Sequence, residues 1–307
     1  MLKIDYLLPF FFIAFSLVSF AQDDLMDMLE AEATEELGNE KVQATFKTQR
    51  IINLHSNETV KKKTLDFRVT HRFGSVGLYK AHDLFGMDNV NDIRISFDYG
   101  ITDYLQVGIA RSKRQELIDG SFKFRPFTQT TNNKVPVSIV LLGQIGFTPQ
   151  RDPDSLYLKT AHRFNYTYQL IIARKFGTRI SVEIAPTLTH RNIIRRYVNP
   201  DNGAEEQNTM FALGAGGRFK ITQRTAVLID YFYIFSKYRQ NNSTTPFYNP
   251  LGIGIEIETG GHVFHLVATN AAGIVAGNYL PYNNESWRGL GIKAGFNISR
   301  VFNVGKR

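Results

Sequence analysis

Residues 163–176 alternate between apolar and polar side chains, and this alternation constrains the fold more than any other feature of the sequence. The even-numbered positions form the apolar parity, which consists of Phe164, Tyr166, Tyr168, Leu170, Ile172 and Phe176. Arg174 interrupts this parity, and Ile171 interrupts the polar one. Successive side chains of a β-strand point to opposite faces, so the pattern predicts a strand with one apolar and one polar face. Its length, roughly 46 Å at 3.3 Å per residue, is typical of a tilted strand that spans a membrane.

The same two-residue period recurs along the chain. Further segments lie at residues 65–73, 93–99, 105–109, 117–127, 135–147, 180–188, 211–219, 227–235, 253–258, 264–268 and 290–302, of which 117–127 and 135–147 are less regular. Counting from Leu65 predicts about 12 antiparallel strands, and an even number returns the last strand to the side on which the chain enters. Residues 42–53 alternate more weakly, so they are expected to form a periplasmic or lumenal segment. If residues 42–53 and one further segment were also strands of the barrel, the barrel would have 14 strands, which is the alternative.

Connections between these segments alternate in length. Short turns lie at residues 100–103, 177–179, 220–224 and 259–261, and longer connections at 73–90, 149–157, 192–208, 236–249 and 270–288. Short turns on one side and long loops on the other are typical of bacterial membrane barrels. We therefore predict an all-β fold, a closed antiparallel transmembrane β-barrel, because closure leaves no backbone group unpaired in lipid. A soluble β-sandwich, the alternative, would have shorter strands and less one-sided loops.

The first 40 residues differ from this pattern. Residues 1–21 have the features of a cleaved secretory signal, with an apolar core over residues 6–20 and a Ser19-Phe20-Ala21 cleavage site; a retained anchor helix is the alternative. Residues 22–40 are rich in Asp and Glu, contain no Lys or Arg, and have helical spacing of apolar residues. The predicted plan is a signal peptide over 1–21, an acidic helical or disordered segment over 22–40, and a barrel over 41–307. No later apolar run approaches the roughly 18 residues of a transmembrane helix.

Charge and cysteine content narrow the compartment and the partners. The net charge is +8 although residues 22–40 are acidic, so the barrel region is strongly basic. With an export signal, this charge predicts contact with outer-membrane lipid and anionic lipopolysaccharide in a Gram-negative bacterium, rather than with nucleic acid. Phe302 resembles the near-terminal aromatic that barrel-assembly machinery recognises. Residues 22–40 are candidates to dock against or inside the basic barrel, or to bind a periplasmic partner. The absence of Cys excludes disulfides and thiolate metal sites.

Charged side chains occupy the inward parity of the predicted strands. The candidate lumen-lining residues are Arg68, Arg72, Arg94, Asp98, Arg163, Glu183, Arg218, Asp230, Glu256, Glu258 and Lys293. Charges inside a barrel are tolerated where water or an opposite charge solvates them. The row therefore predicts either an ion-pair network that fills a narrow lumen or a constriction that selects solutes, with a mild preference for anions.

The sequence shows no catalytic, cofactor or metal site. No Ser stands two residues from a lipid-facing His, and His262 and His265 differ by three positions, which places them on opposite faces of one strand. We interpret all His residues as interfacial or loop positions and expect neither an enzyme nor a cofactor. Gly214, Gly216 and Gly217 lack the Lys-Ser/Thr pair of a phosphate loop, so they are expected to mark a bend in the wall or a close backbone approach.

Several blocks of the chain resemble a known family. They lie at residues 45–53, 67–74, 99–103, 166–176, 212–218, 258–264 and 295–302. Together they are similar to a family of outer-membrane β-barrel proteins of unknown function from Bacteroidota. The resemblance covers most of the mature chain and implies the barrel and the outer membrane. It implies no activity and no site residues.

Three functions remain open from the sequence. The leading hypothesis is a narrow pore or gated channel for a small solute, with anions favoured, because the inward parity is charged and the long loops are one-sided. The second is a non-conducting structural or docking barrel that binds a periplasmic or surface partner. The third, an interfacial lipid-modifying enzyme, would need a His base at the outer wall.

Overall fold

A ring of antiparallel strands dominates the computed structural model, which describes residues 40–77, 80–152 and 155–305. The strands are β1 Thr64–Ser75, β2 Val90–Thr102, β3 Leu105–Ser112, β4 Ile118–Phe127, β5 Ser138–Phe147, β6 Phe164–Phe176, β7 Ile180–Arg191, β8 Thr209–Lys220, β9 Thr225–Phe235, β10 Leu251–Thr259, β11 His262–Thr269 and β12 Lys293–Asn303. Each strand pairs with its neighbours in the chain, and β1 pairs with β12 to close the barrel. The predicted 12-strand barrel is confirmed, and the alternative of 14 is wrong because residues 42–53 form no strand.

Closure joins the two ends of the barrel region in a continuous register. Leu65 lies opposite Phe302 and Val69 opposite Ile298 across the β1–β12 seam. Strand β12 begins at Lys293 and not at Leu290 as predicted, because Leu290 has a φ of 55°, which is incompatible with extended backbone. Every strand edge in the described barrel is therefore paired, as a membrane-spanning sheet requires.

The two ends of the barrel differ in the length of their connections. One end, called here the short-turn end, carries residues 103–104, 128–137, 177–179, 221–224 and 260–261. The other, called the long-loop end, carries residues 76–89, 113–117, 148–163, 192–208, 236–250 and 270–292. Residues 128–137 and 113–117 are the exceptions to the predicted asymmetry. The longest connection, residues 270–292, contains a helix, α1 Ala276–Tyr282. In the described part of three other connections, single-turn 3-10 helices lie at Lys80–Asp83, Arg114–Glu116 and Thr160–Arg163.

The alternation in β6 separates an outer from an inner surface. Tyr168 is 51% exposed on the outer face, whereas Thr167 and Gln169 are buried in the interior. Arg174 shares the outer parity and lies over the ring of Phe176 at 5.1 Å. The buried side chains of β6 therefore face the interior of the ring, and the outward face of the strand is mostly apolar. No helix among the described residues is long and apolar enough to cross a membrane.

Two segments predicted from the sequence lie outside the described residues. The signal peptide over residues 1–21 and the acidic segment over 22–40, except Glu40, are not among them. Both therefore remain predictions.

Candidate functional site in the barrel lumen

A segment that precedes β1 folds into the barrel and fills the lumen. This segment, residues 42–60, is called here the plug. Val42 N donates to Gln129 O (2.8 Å) in the β4–β5 connection, where the plug enters. Thr59 Oγ1 donates to Asp103 O (2.8 Å) in the β2–β3 turn, where the plug leaves. Both connections belong to the short-turn end, so the plug enters and leaves the lumen through the same mouth.

The plug reverses direction at a tight turn deep in the lumen. Residues 51–54, called here the tip, are closed by a hydrogen bond from Ile51 N to Leu54 O (2.9 Å). Three successive backbone N–H groups of the tip donate to Asp230 Oδ2 on β9, from Ile52 (3.1 Å), Asn53 (2.6 Å) and Leu54 (2.8 Å). The Asn53 side chain donates to Asp230 Oδ1 (3.0 Å). A turn whose N–H groups converge in this way is a natural anion-binding concavity, here occupied by a carboxylate of the wall.

Two further side chains hold the carbonyl groups of the tip. Arg72 Nη2 on β1 donates to Ile52 O (3.2 Å), and the Tyr279 hydroxyl on α1 donates to Asn53 O (3.2 Å). We call Asp230, Arg72 and Tyr279 the tip clasp. The peptide groups of the tip are thus bound both as donors and as acceptors, by side chains from separate parts of the chain.

Glycines on β8 and β10 make room for the tip. A Cβ at Gly214 would lie 2.9 Å from Leu54 Cδ1, and a Cβ at Gly252 would lie 2.8 Å from Ile52 Cγ2. A Cβ at Gly216 would collide with the side chain of Ile51. The close approach expected at Gly214 and Gly216 is therefore an approach of the plug to the wall.

A belt of apolar residues crosses one side of the lumen, which the sequence did not predict. Inward positions on the five neighbouring strands β5 to β9 hold the apolar belt: Val140, Ile171, Ala185, Gly214 and Phe232. The belt and the plug residues Phe46, Ile51, Ile52 and Leu54 belong to one buried cluster, apart from Gly214. Ile171, which interrupts the polar parity of β6, is thus an inward residue that packs within the lumen.

The opposite side of the lumen, on β1 to β4, is charged and binds the two arms of the plug, which are residues 42–50 before the tip and 55–60 after it. Arg94 pairs with Asp119 (2.6 Å), and Arg68 pairs with Asp66 (3.2 Å). Lys123 Nζ donates to three plug carbonyls, of Gln49 (3.4 Å), Ser56 (3.1 Å) and Glu58 (2.9 Å). Lys123 therefore attaches both arms of the plug to the wall.

A second charged cluster lies nearer the short-turn end on β8, β10 and β11. Arg218 Nε donates to Glu256 Oε1 (2.7 Å), and Arg218 Nη2 contacts Glu258 Oε1 (3.2 Å). His265 Nε2 lies 3.1 Å from the other oxygen of Glu256. Lys47 of the plug reaches Glu258 (2.7 Å), so this cluster also contacts the plug.

The structure places the sequence-predicted lumen residues in three groups. Buried and inward are Arg68, Arg72, Arg94, Glu183, Arg218, Asp230, Glu256 and Lys293. Asp98 and Glu258 are inward and partly exposed. Arg163 ends the 3-10 helix before β6, and its Nη1 donates to the loop carbonyls of Thr148 (2.9 Å) and Gln150 (2.8 Å), so it contacts a loop and not the lumen.

The predicted residues meet at two places, and other members of the site were missed. Arg218 contacts both Glu256 and Glu258, whereas Arg72 and Asp230 both bind the backbone of Ile52. The sequence pattern did not indicate the acceptor Asp119 or the clasp residue Tyr279. Asp119 lies in a segment with irregular alternation, and Tyr279 lies in a long loop, so no periodicity signalled either.

A loop also enters the lumen from the long-loop end. Residues 270–292, called here the in-folded loop, bend into the barrel, and Tyr279 and Leu280 of α1 are fully buried. The Tyr279 ring packs against Phe232 with centroids 5.5 Å apart. Arg50 Nη1 of the plug donates to Ile274 O (3.1 Å). The plug and the in-folded loop thus meet inside the barrel.

A cavity of about 600 Å³ opens at the short-turn end between the arms of the plug and the rim. Its lining includes Lys41, Glu58, Lys61, Asp103 and Arg125. Burial raises the pKa of the Glu58 carboxyl, and the charge of Arg125 partly opposes this shift. The arms of the plug are thus accessible to solvent at the mouth, whereas the tip is not.

The His residues do not assemble a metal site. No group of three or more His, Asp or Glu in the described ranges could hold a metal ion. His262 and His265 lie on opposite faces of β11, with His265 buried. The interpretation of every His as interfacial or in a loop is wrong, because His265 lies in the lumen wall and His55 lies in the plug.

The comparison with known families identifies the barrel. Residues 46–302 match the family described as Membrane bound beta barrel domain (DUF5777). The chain belongs to this family. The match begins within the plug, so the tip is part of the family's domain. The origin from Bacteroidota stays a prediction.

Similar solved structures are distant. The NanC porin is 9% identical, with 77% of this chain and 98% of that chain covered and a TM-score of 0.45. The KdgM porin is 6% identical, with coverages of 78% and 99% and a TM-score of 0.44. Omp33 of Acinetobacter baumannii is 8% identical, with coverages of 78% and 99% and a TM-score of 0.41. No curated protein matches the chain.

Proposed function

We propose that the protein is a gated channel of the outer membrane, closed by its own plug and opened for a small solute when the plug withdraws. The observation that carries the proposal is the path of the plug, which enters and leaves through the short-turn mouth. A segment with both ends at one mouth can leave without threading the barrel. The wall loses none of its strand pairing when the plug leaves, because the plug belongs to none of the strands.

The location in the outer membrane rests on the chemistry of the wall and on the predicted export signal. Tyr168, Ile229 and Leu266 are exposed on the outer face, as lipid contact requires. We propose that this band contacts lipid, that rim Lys and Arg residues contact lipopolysaccharide, and that barrel-assembly machinery inserts the chain.

The charges on the inner wall determine the selectivity expected of the open channel. Inward positions of the described strands are nearly balanced in charge, with eight acids and ten bases. The acids are Asp66, Asp92, Asp98, Asp119, Glu183, Asp230, Glu256 and Glu258, and the bases are Arg68, Arg72, Arg94, Lys123, Arg125, Lys175, Arg191, Arg218, Lys220 and Lys293. A balanced wall favours weak selectivity. The preference for anions remains a prediction, which the reversal potential in a salt gradient tests.

Planar-bilayer conductance tests the channel. The full-length chain is expected to be closed most of the time, and a variant that lacks the plug, residues 42–60, is expected to give a steady current. The heat-dependent mobility of the variant in gels verifies that its barrel has folded. A folded plug-deleted barrel that passes no current would contradict the proposal.

A non-conducting docking barrel is the second candidate. The observation that favours it is that the lumen is filled from both ends, by the plug and by the in-folded loop. Capture of a periplasmic protein only when residues 22–40 are present, with no current from the folded plug-deleted barrel, would support this candidate.

We propose no catalytic role. His71 stacks on Phe296 with ring centroids 5.2 Å apart, and His190 Nδ1 lies 2.7 Å from Thr209 Oγ1. Neither contact is the Ser–His pair of a nucleophilic site. Lipid hydrolysis by the purified protein that is lost when either His is replaced would contradict this proposal.

A further inference from the structure

We propose that the tip occupies a binding site for short peptides with branched aliphatic side chains, and that such peptides displace the plug. The inference rests on the proposed function and names its solute class. In the closed barrel, a four-residue piece of peptide already sits in the lumen, and the wall is complementary to it in both backbone and side chains. The plug therefore acts as a built-in competitor of the solute.

The tip clasp recognises features that every peptide shares. Asp230 accepts from the backbone N–H groups of three successive residues, and Arg72 and Tyr279 donate to two successive carbonyls. A free peptide can supply the same groups, with its terminal ammonium or amide N–H groups at Asp230 and its carbonyl or carboxylate oxygens at Arg72. Hydrogen bonds to charged partners are the strong ones, so both ends of the clasp favour such a ligand.

The walls beside the clasp fit branched aliphatic side chains. Gly214 lies against Leu54, Gly216 lies against both Ile51 and Leu54, and Gly252 and Gly254 lie against Ile52. The apolar belt continues this surface across β5 to β9. Missing Cβ atoms on two strands thus create the space that Ile and Leu side chains occupy.

Other small solutes match this site less well. A sugar would leave the apolar belt without an apolar partner, and a simple anion would face the carboxylate of Asp230. A site built to hydrogen-bond a ligand rejects analogues that leave its buried polar groups unpaired. A peptide with aliphatic side chains satisfies the carboxylate, the guanidinium and the apolar surface together.

Displacement of the plug by a peptide is measured on the full-length chain through a single cysteine. The chain has no Cys, and Ser56 is a fully buried plug residue, so Ser56→Cys is a nearly isosteric reporter. A water-soluble maleimide will label this cysteine only when the plug leaves the lumen. Trivaline is the test peptide and triserine its control, because the two have the same length and charge.

Trivaline is expected to accelerate labelling saturably, whereas triserine is not. The tether gives the plug an effective concentration in the mM range, so the peptides are used at about 10 mM. A dissociation constant of about 1 mM would give about a tenfold acceleration. With Asp230→Asn in the same chain, labelling is expected to be faster without peptide and insensitive to trivaline. Asp98→Asn is the matched control and is expected to behave like the parent, because Asp98 accepts no described hydrogen bond from the plug.

Several results would overturn the inference. These are equal acceleration by both peptides, no acceleration by either, and rapid labelling in the absence of any peptide. A cysteine at exposed Ser243 should be labelled at a rate that no peptide changes; a change there would show that trivaline acts on the whole protein. Cysteine labelling and conductance are independent measurements. Peptide displacement of the plug can therefore be refuted in a barrel that conducts, and it can be observed in a barrel that does not conduct.

Discussion

Replacement of Asp230 by Asn is expected to loosen the tip of the plug while leaving the barrel intact. The carboxylate accepts four hydrogen bonds from the plug, three at Oδ2 and one at Oδ1. Asn presents one oxygen and one NH₂ group, so at least one donor of the tip would face another donor. Asp230 lies in the middle of β9, where its backbone pairing with Gly216 and Gly252 does not depend on the side chain.

The expected magnitude follows from the change of charge. Hydrogen bonds to charged groups contribute roughly 1 kcal/mol more than neutral ones, so four of them lose about 4 kcal/mol. Asn is less costly to bury than a carboxylate, which offsets about half of this loss. The closed plug should therefore be destabilised by about 2 kcal/mol, which raises the ratio of open to closed barrels about 30-fold.

Single-channel recording in planar bilayers measures this ratio as the fraction of time that the pore is open. Asp98→Asn, which makes the same chemical change at a position that no plug residue contacts through a described hydrogen bond, is the control. An open fraction in Asp230→Asn equal to that of the wild type, in a barrel whose plug-deleted form conducts, would refute the role of the clasp.

Two further substitutions test the packing of the tip and the charged wall. Gly216→Leu is expected to destabilise the closed plug by about 1–3 kcal/mol and to raise conductance, because its side chain would collide with Ile51. Gly217→Leu, whose Cβ would lie 3.5 Å from the nearest side chain on the outer face, should conduct like the wild type; equal currents in the two variants would contradict the packing argument. Arg218→Met leaves the buried Glu256 without its guanidinium partner and is expected to lower the free energy of unfolding by about 3 kcal/mol. Urea titration in lipid vesicles measures this loss, and an unchanged midpoint would show that the ion pair is not stabilising.

The outer wall and the strand count could be predicted because they depend on local periodicity. Each strand shows its apolar and polar faces within about ten residues, as in β6, where Tyr168 faces outward and Gln169 inward. The even strand number then follows from the need to pair every edge in lipid. Loop asymmetry likewise depends only on the spacing of strands, and its exceptions fall where alternation is irregular.

The site inside the barrel could be predicted only in part. Arg72 and Asp230 were recognised as inward residues from parity alone, but nothing in their own strands shows that both bind the Ile52 peptide. Gly214 and Gly216 indicated a close approach without indicating what approaches. The apolar belt could not be recognised from the sequence. Inward positions of the strands were expected to be polar, so single small or aliphatic residues such as Ile171 were interpreted as interruptions of the alternation.

The sequence by itself determined the barrel, its orientation of faces and the inward row of charges, since each of these repeats every two residues. Tertiary structure alone decided that residues 42–60 are a plug and that Asp230 holds their tip. Those contacts join Asn53 to a residue 177 positions away. Such a pairing is selected by the shape and charge of the assembled lumen, which exists only after the wall has closed.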